Sequence, residues 1–356
     1  MPILNARFSG QPLTGVQRVA YELGRRLFEL RGDVTALAPV PAFPEYNIPV
    51  EVAQSAFPAL GGHIWEQSIL RRRTTRDDIL VNLGGTGPYG FRRQIVMIHD
   101  VNYLLGAEGY SWKFREWYRH LQSNLVRCAA ICTVSQWSAN EIARAFDIDA
   151  DAITVIHNSA DHIDAIVPGR GALDRYGISS RPYLLCVGSA NPNKNFAAAL
   201  DAFKAIPSPQ FDLVIAGGGN PRIFRQDDRV EDNPRIHALP RVSDPELKAI
   251  MAGAAGFVMP SLLEGFGLPA LEAMRVGTPV ISSNAASLPE VCGDAALYFQ
   301  PDNLRELTQA MLSLMEDPKL QSDLRKRGLA RANAFSSDRS ASKLSEMIDH
   351  EKARRT

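Results

Sequence analysis

Residues 257–283 read Phe257-Val-Met-Pro-Ser-Leu-Leu-Glu264-Gly-Phe-Gly-Leu-Pro269-Ala-Leu-Glu272-Ala-Met-Arg-Val-Gly277-Thr-Pro-Val-Ile-Ser-Ser283: an apolar run, a glycine-bearing turn, a helical pattern and a second apolar run. Short, nearly continuous apolar runs are how strands buried on both faces of a parallel sheet appear in sequence. Pro269 suits the first helical position and Gly277 the position just past the end, which predicts a helix over 269–276. Glu264 then falls in the turn and Glu272 in the first helical turn. The N–H groups of Gly265, Phe266, Gly267 and Leu268 are expected to lack ladder partners, and donors at the positive end of a helix form an anion site. Two carboxylates would repel a bare anion. A ligand with phosphate for the amides and hydroxyls for the carboxylates, such as a sugar nucleotide, resolves that conflict.

At 356 residues the chain is too long for one ordinary core and suits two domains of about 150–200 residues. Lys plus Arg and Asp plus Glu are both 39, and the resulting net charge of zero argues against a general nucleic-acid binder. A hydrophobic fraction of 45% and a charged fraction of 22% are those of a globular protein. The longest nearly apolar run, residues 249–260, falls short of the roughly 20 residues that span a bilayer. No charged segment followed by an apolar run opens the chain, so no secretory signal is expected. The cysteines at 128, 132, 186 and 292 have neither metal-site spacing nor disulfide-framework density. Core packing in a reducing cytoplasm is their expected role.

In chain order, residues 2–7 read as a first strand, followed by the loop Ser9-Gly-Gln-Pro-Leu-Thr-Gly15. In the next helix Val16, Val19, Ala20, Leu23 and Leu27 recur at helical spacing. A helix opening at Trp65-Glu66-Gln67 ends in Arg71, Arg72, Arg73 and Arg76. That basic patch is either a solvated helix end favoured by the dipole or a contact for anionic headgroups or a phosphorylated acceptor. Residues 94–98 form an apolar strand delivering His99 and Asp100 at its carboxyl end, where open α/β sheets bind ligands. Residues 111–127 form an amphipathic helix with Phe114, Trp117, Tyr118, Leu121 and Leu125 on one face. Packing on the sheet accounts for that stripe, with a membrane surface as the alternative. Ser135 is read as a helix cap or an acceptor contact.

Asp147, Asp149 and Asp151 alternate like a metal loop, but Ala152 and Asn158 stand where an EF-hand needs glycine and glutamate, so a solvated loop is expected. Polar residues 160–181 read as a linker. The second half opens with a strand over 183–187 and the turn Gly188-Ser-Ala-Asn-Pro-Asn-Lys194-Asn. A strand over 211–216 runs into Gly217-Gly-Gly219, whose spacing is not a dinucleotide fingerprint. Ser243 and Glu246 form a capping box for the next helix.

Glu264 and Glu272, with seven residues between them, and the surrounding Pro260-Ser-Leu-Leu-Glu-Gly-Phe-Gly-Leu-Pro and Ala-Met-Arg-Val-Gly-Thr-Pro-Val-Ile-Ser-Ser-Asn284 resemble the E-x7-E motif of retaining GT-B glycosyltransferases, specifically family 4. The resemblance covers nearly the whole chain. It implies an α/β GT-B fold of two doubly wound Rossmann-like domains facing an interdomain cleft. The acceptor domain would span 1–165, the nucleotide-sugar donor domain 175–335, and a terminal helix over 336–356 would cross back to the first. On this basis Glu272 holds the ribose hydroxyls, and Glu264 and His99 contact the transferred sugar. Lys194, Gly188 and the amides of Gly265, Phe266, Gly267 and Leu268 hold the diphosphate. Gly15 permits close approach of a donor phosphate or the acceptor, and the turn carrying Arg241 and Val242 aligns with the nucleobase pocket. Ser189 departs from the pattern, because many members carry arginine there; Arg241 or another basic group is the expected compensation. Serine also replaces the glycine of the usual Asn-Gly pair after Asn158.

The implied activity is a retaining hexosyl transfer without a divalent metal cofactor. GDP-mannose is the favoured donor because Thr14-Gly-Val-Gln-Arg18 and Asn191-Pro-Asn-Lys-Asn195 look like the mannosyltransferase branch, and UDP-sugars are the alternative. The implied acceptor is a polysaccharide or lipid-linked oligosaccharide, with peripheral contact at the inner face of the membrane left open. A catalytically idle sugar-nucleotide-binding protein, and an epimerase or hydrolase of the same fold, are the rival readings.

Overall fold

The computed structural model describes residues 1–54, 61–75, 77–106, 110–189, 191–217 and 233–354. Two compact units emerge, one of Met1–Asn158 with Ser336–Thr356 and one of Ser159–Phe335. Arg76 of the basic patch, and Gly218 and Gly219 of the glycine turn, lie outside the described residues.

The first unit is built on a parallel sheet of seven strands: β1 Pro2–Asn5, β2 Thr35–Ala38, β3 Glu51–Val52, β4 Ile79–Asn82, β5 Gln94–Met97, β6 Ala130–Thr133 and β7 Thr154–Val155. They lie in the order β3-β2-β1-β4-β5-β6-β7. β1, β4 and β5 are buried at every position, as central parallel strands must be when helices cover both faces. One face packs Val96, Ile98, Leu121, Leu125 and Ile142 into a continuous core. The helix Ser337–Ala353 lies on the helix Gly15–Leu30. Arg31 pairs with Asp349 at 2.9 Å and Lys352 with Asp33 at 2.7 Å, and Arg26 Nε donates to Ser337 Oγ at 3.2 Å. Arg31 and Lys352 together hold the Asp33 carboxyl well below its usual range.

The second unit has a parallel sheet of six strands: β8 Tyr183–Val187, β9 Asp212–Ala216, β10 Ile236–Ala238, β11 Gly256–Met259, β12 Val280–Ser283 and β13 Ala296–Phe299, ordered β10-β9-β8-β11-β12-β13. Its core includes Leu184, Phe203, Val258, Ile281 and Leu314. Both sheets reverse their strand order once, between β1 and β4 and between β8 and β11. Ligands bind at such switch points, outside the carboxyl ends of the strands. The two units are therefore doubly wound, Rossmann-like sheets, each with one crevice fixed by topology. Among the described residues no helix is long and apolar enough to cross a membrane.

Two expected helices begin elsewhere. The one read as opening at Trp65 starts with Gly61–Trp65 and continues through a π-helical turn, Glu66–Leu70, to Arg71–Arg73. The helix read as 269–276 is Leu268–Arg275, with Gly267 as its N-cap at φ 99°. Glu272 is thus in the second helical turn, not the first. The left-handed glycine turns the chain one residue earlier than Pro269 alone suggests.

Candidate functional site

The crevice of the second unit is framed by the segments that leave β8 and β11. After β8, Gly188 lies so close to the Lys194 stem that an added Cβ would come within 3.4 Å of Lys194 Cδ and 3.1 Å of the Phe196 ring. Pro192–Lys194 then forms a short 3-10 turn capped by Asn191, whose side chain accepts from the Asn193 N–H at 2.9 Å. Leu262 N–H donates to Asn193 O at 2.8 Å, which ties this turn to the one after β11. Lys194 Nζ thereby reaches Glu264 Oε1 at 2.7 Å. The Glu264 carbonyl accepts from the buried Ser287 hydroxyl at 2.8 Å. Sequence reasoning assigned Lys194 to a phosphate and Glu264 to a sugar; the structure joins the two side chains directly.

Gly267 makes the turn into the helix Leu268–Arg275. Its φ of +99° is strained for any side chain, and an added Cβ would stand 2.6 Å from Leu288 Cδ2. Ala270 and Leu271 N–H both close on Gly267 O at the start of the helix. Phe266 is buried and packs edge-on against Phe335, ring centroids 5.6 Å apart. Ser261 is buried, and its hydroxyl has no partner among the described residues. That orphaned donor at the end of β11 was not singled out from sequence, because an isolated serine carries no pattern.

Glu272 is oriented by a residue read only as part of a linker. His162 Nε2 lies 3.0 Å from Glu272 Oε1, with both side chains largely buried. The segment carrying His162 is clamped from two sides: Lys248 Nζ donates to Ile163 O at 2.7 Å and to Ile166 O at 2.8 Å, and Arg275 forks onto Asp164. Arg241 is exposed and Val242 half-buried in the loop after β10, and Ser189 is exposed.

In the first unit a cavity of about 380 Å³ opens at the switch point between β1 and β4. His99 lines it. Its Nε2 lies 2.8 Å from Leu83 O, and since a carbonyl can only accept, Nε2 carries the proton and Nδ1 is left as an acceptor. Burial pushes the His99 pKa down despite that hydrogen bond, so the ring is neutral at physiological pH. Thr14 and Val16 line the same cavity on either side of Gly15, which opens the helix Gly15–Leu30. A Cβ added at Gly15 would meet nothing within 4 Å.

The floor is a polar cluster around Glu66, which is 1% exposed. Its carboxylate receives Arg7 Nε at 2.9 Å, Asn5 Nδ2 at 2.8 Å and Thr86 Oγ at 3.0 Å, with His63 Nδ1 at 3.2 Å. Burial alone would raise the Glu66 pKa, but the His63 hydrogen bond, the Arg7 charge and the Asn5 hydrogen bond hold it below its usual value. This cluster was not foreseen, since Asn5, Arg7, Glu66 and Thr86 are scattered in sequence.

The helix Trp112–Cys128 corrects another expectation. Leu121 and Leu125 pack on the sheet, but Phe114 and Trp117 on the same stripe remain 38% and 41% exposed. The stripe divides because its first turns reach past the strand ends, where Tyr110, Phe114 and Tyr118 line the cavity. Ser135 accepts from the Ser138 N–H at 3.0 Å, as a helix cap does. Asp147, at φ 53°, closes that helix, and Asp149 accepts from the Asp151 N–H at 3.0 Å. In the basic patch Arg71 donates to Tyr89 O at 2.9 Å and Arg73 pairs with Glu51 at 3.4 Å.

Two doubly wound units, each with polar groups gathered at its switch point, define the GT-B class of nucleotide-sugar enzymes. Residues 13–164 match the family described as Glycosyltransferase Family 4 and residues 174–331 the one described as Glycosyl transferases group 1. O-antigen chain mannosyltransferase B of Escherichia coli is 34% identical over 262 residues, 70% of this chain and 68% of that protein. Serotype-specific mannosyltransferase WbdA of Escherichia coli is 29% identical over 265 residues, and the match spans 32% of its length. Sucrose-phosphate synthase from Thermosynechococcus elongatus has the same fold, with a TM-score of 0.78 at 18% identity over 99% of both chains. The chain belongs to glycosyltransferase family 4.

Proposed function

We propose that this glycosyltransferase moves mannose from GDP-mannose to a saccharide or lipid-linked oligosaccharide with retention of anomeric configuration. The carrying observation is the Lys194–Glu264 pair at the β8/β11 switch point, 2.7 Å apart and beside the Gly267 turn. The diphosphate takes the lysine and the amides of the turn, which frees Glu264 for hydroxyls of the transferred sugar. Lys194, as a point charge, and the preorganised amides neutralise the leaving diphosphate in the role a divalent cation fills elsewhere. Glu272, aimed by His162, holds the ribose. In the transfer step the bond from C1 to the diphosphate oxygen breaks as the acceptor oxygen bonds C1 from the same face. The acceptor proton passes to the departing diphosphate. Neutral His99 accepts a sugar hydroxyl through Nδ1. The similarity to O-antigen chain mannosyltransferase B supports mannose as the sugar.

Thermal shift with GDP, UDP and ADP at matched concentrations tests the donor, because a specific ligand stabilises by mass action. GDP is expected to give the largest shift. A larger shift with UDP would reassign the base, and equal shifts with all three would sink the assignment. GDP-mannose hydrolysis should persist in EDTA and vanish in Glu264→Ala; metal-dependent turnover would overturn the charge argument. NMR of the product anomer tests retention.

A further inference from the structure

The two turns that meet at the β8/β11 switch point carry one charge each. From Gly188 to Asn195 the charged side chain is Lys194, and from Met259 to Leu268 it is Glu264. The two are paired, Lys194 Nζ donating to Glu264 Oε1 at 2.7 Å with the side chains 21% and 11% exposed. Among the described residues the carboxylate has no other partner. Neither end of the pair is loose. The Leu262 N–H donates to Asn193 O at 2.8 Å and joins the turns, Asn195 at φ 52° opens the helix behind Lys194, and Ser287 Oγ donates to the Glu264 carbonyl at 2.8 Å.

A diphosphate that takes Lys194 leaves Glu264 largely buried, without its cation and beside a second anion. An uncompensated charge in that position costs more than the intact pair does. Hydroxyls relieve it, because a carboxylate accepts from them in strong charge-assisted bonds. The sugar-bearing donor brings such hydroxyls together with its diphosphate. The spent nucleotide brings the diphosphate alone, and its freed terminal phosphate ionises a second time at about pH 6, which adds to the negative charge. Selectivity is a difference of affinities, and a group that disfavours one ligand serves it as well as a group that favours the other.

We propose that the Lys194–Glu264 pair discriminates the sugar-bearing nucleoside diphosphate from the spent one. Glu264 competes for Lys194 against any diphosphate that brings no sugar to the carboxylate, so the product is held weakly and does not block the next donor. The proposal rests on the transferase reading above, but it concerns the ratio of two affinities, in which the base is common to both ligands.

Isothermal titration calorimetry of the full chain with GDP and GDP-mannose, without acceptor, tests it, with UDP and UDP-glucose run in parallel. The wild type is expected to bind the sugar nucleotide at least ten-fold more tightly than the matching nucleoside diphosphate. Glu264→Gln, which keeps the shape and removes the charge, should tighten GDP at least ten-fold and move GDP-mannose less than three-fold. In a Lys194→Met background the same change should tighten GDP by a clearly smaller factor, because no lysine is left to compete for. Should a variant not fold, as circular dichroism would reveal, the wild-type ratio still decides. GDP bound as tightly as GDP-mannose by the wild type, GDP affinity unmoved or weakened in Glu264→Gln, or an equal gain with and without Lys194 would each overturn the proposal. The ten-fold ratio found with the uridine pair alone would sink the GDP assignment and leave the discrimination standing, whereas no binding of either pair would sink both.

Discussion

Gly15 and Gly267 are both glycines at helix starts, and the structure gives them opposite reasons. Nothing in the protein lies where a Gly15 side chain would go. Gly15→Ala should therefore hold or raise stability, by up to about 1 kcal/mol from helix propensity, while lowering transfer activity if a ligand needs that space. Gly267→Ala should cost about 1–3 kcal/mol, through positive φ and the Leu288 contact. Urea unfolding of both variants, set beside turnover, separates the two cases. His99 carries a pH signature. Its folded pKa is depressed below 6.5, so in that interval the unfolded chain binds a proton that the folded chain does not. Stability is fully present above pH 6.5 and is lost as pH falls toward the folded value, a slope that His99→Gln should reduce in melting curves collected between pH 5 and 8.

Among the elements, the short turn that carries His162 shows how a site residue escapes a reading by motif. Glu264, Glu272, Lys194 and the glycines were legible because they are packed into two short stretches whose strand, turn and helix order dictates where they fall. His162 was not, because its role comes from a clamp built by Lys248 and Arg275, which lie far along the chain. The Asn5–Arg7–Glu66–Thr86 cluster escaped for the same reason: β1, β4 and the π-helical turn bring together residues with no common pattern. Register was also limiting, since Pro269 and Gly277 place the helix to within one residue at each end, while the left-handed Gly267 sets its first residue. Lys248→Met should leave the Ile163 and Ile166 carbonyls short of a donor, at a cost of about 1–3 kcal/mol. If the clamp aims Glu272, the same variant raises the donor KM more than it lowers kcat; unchanged kinetics would confine Lys248 to stability.

At the scale of the whole molecule, apolar runs separated by helical segments point to parallel α/β units, while the two doubly wound sheets were implied by the family resemblance and not by that alternation. The return of the terminal helix Ser337–Ala353 to the first unit was implied by the family resemblance; its partners, Arg26, Arg31 and Asp33, carry no pattern in the sequence. Removal of residues 336–356 should lower the melting transition of the first unit and leave that of the second, with calorimetry resolving the two. A single transition that falls as one would refute their independence.

That last helix also sets a clock on biosynthesis. The face of Gly15–Leu30 that it covers is made early, and its cover is made only after all of Ser159–Phe335. At about 5–20 residues per second, the roughly 320 residues between Leu30 and the end of that helix keep the face open for on the order of fifteen to sixty-five seconds. The second unit is complete before the first can close. Chaperone dependence during translation should therefore track the length of the second unit, and slowing synthesis there should lengthen the exposure of the first.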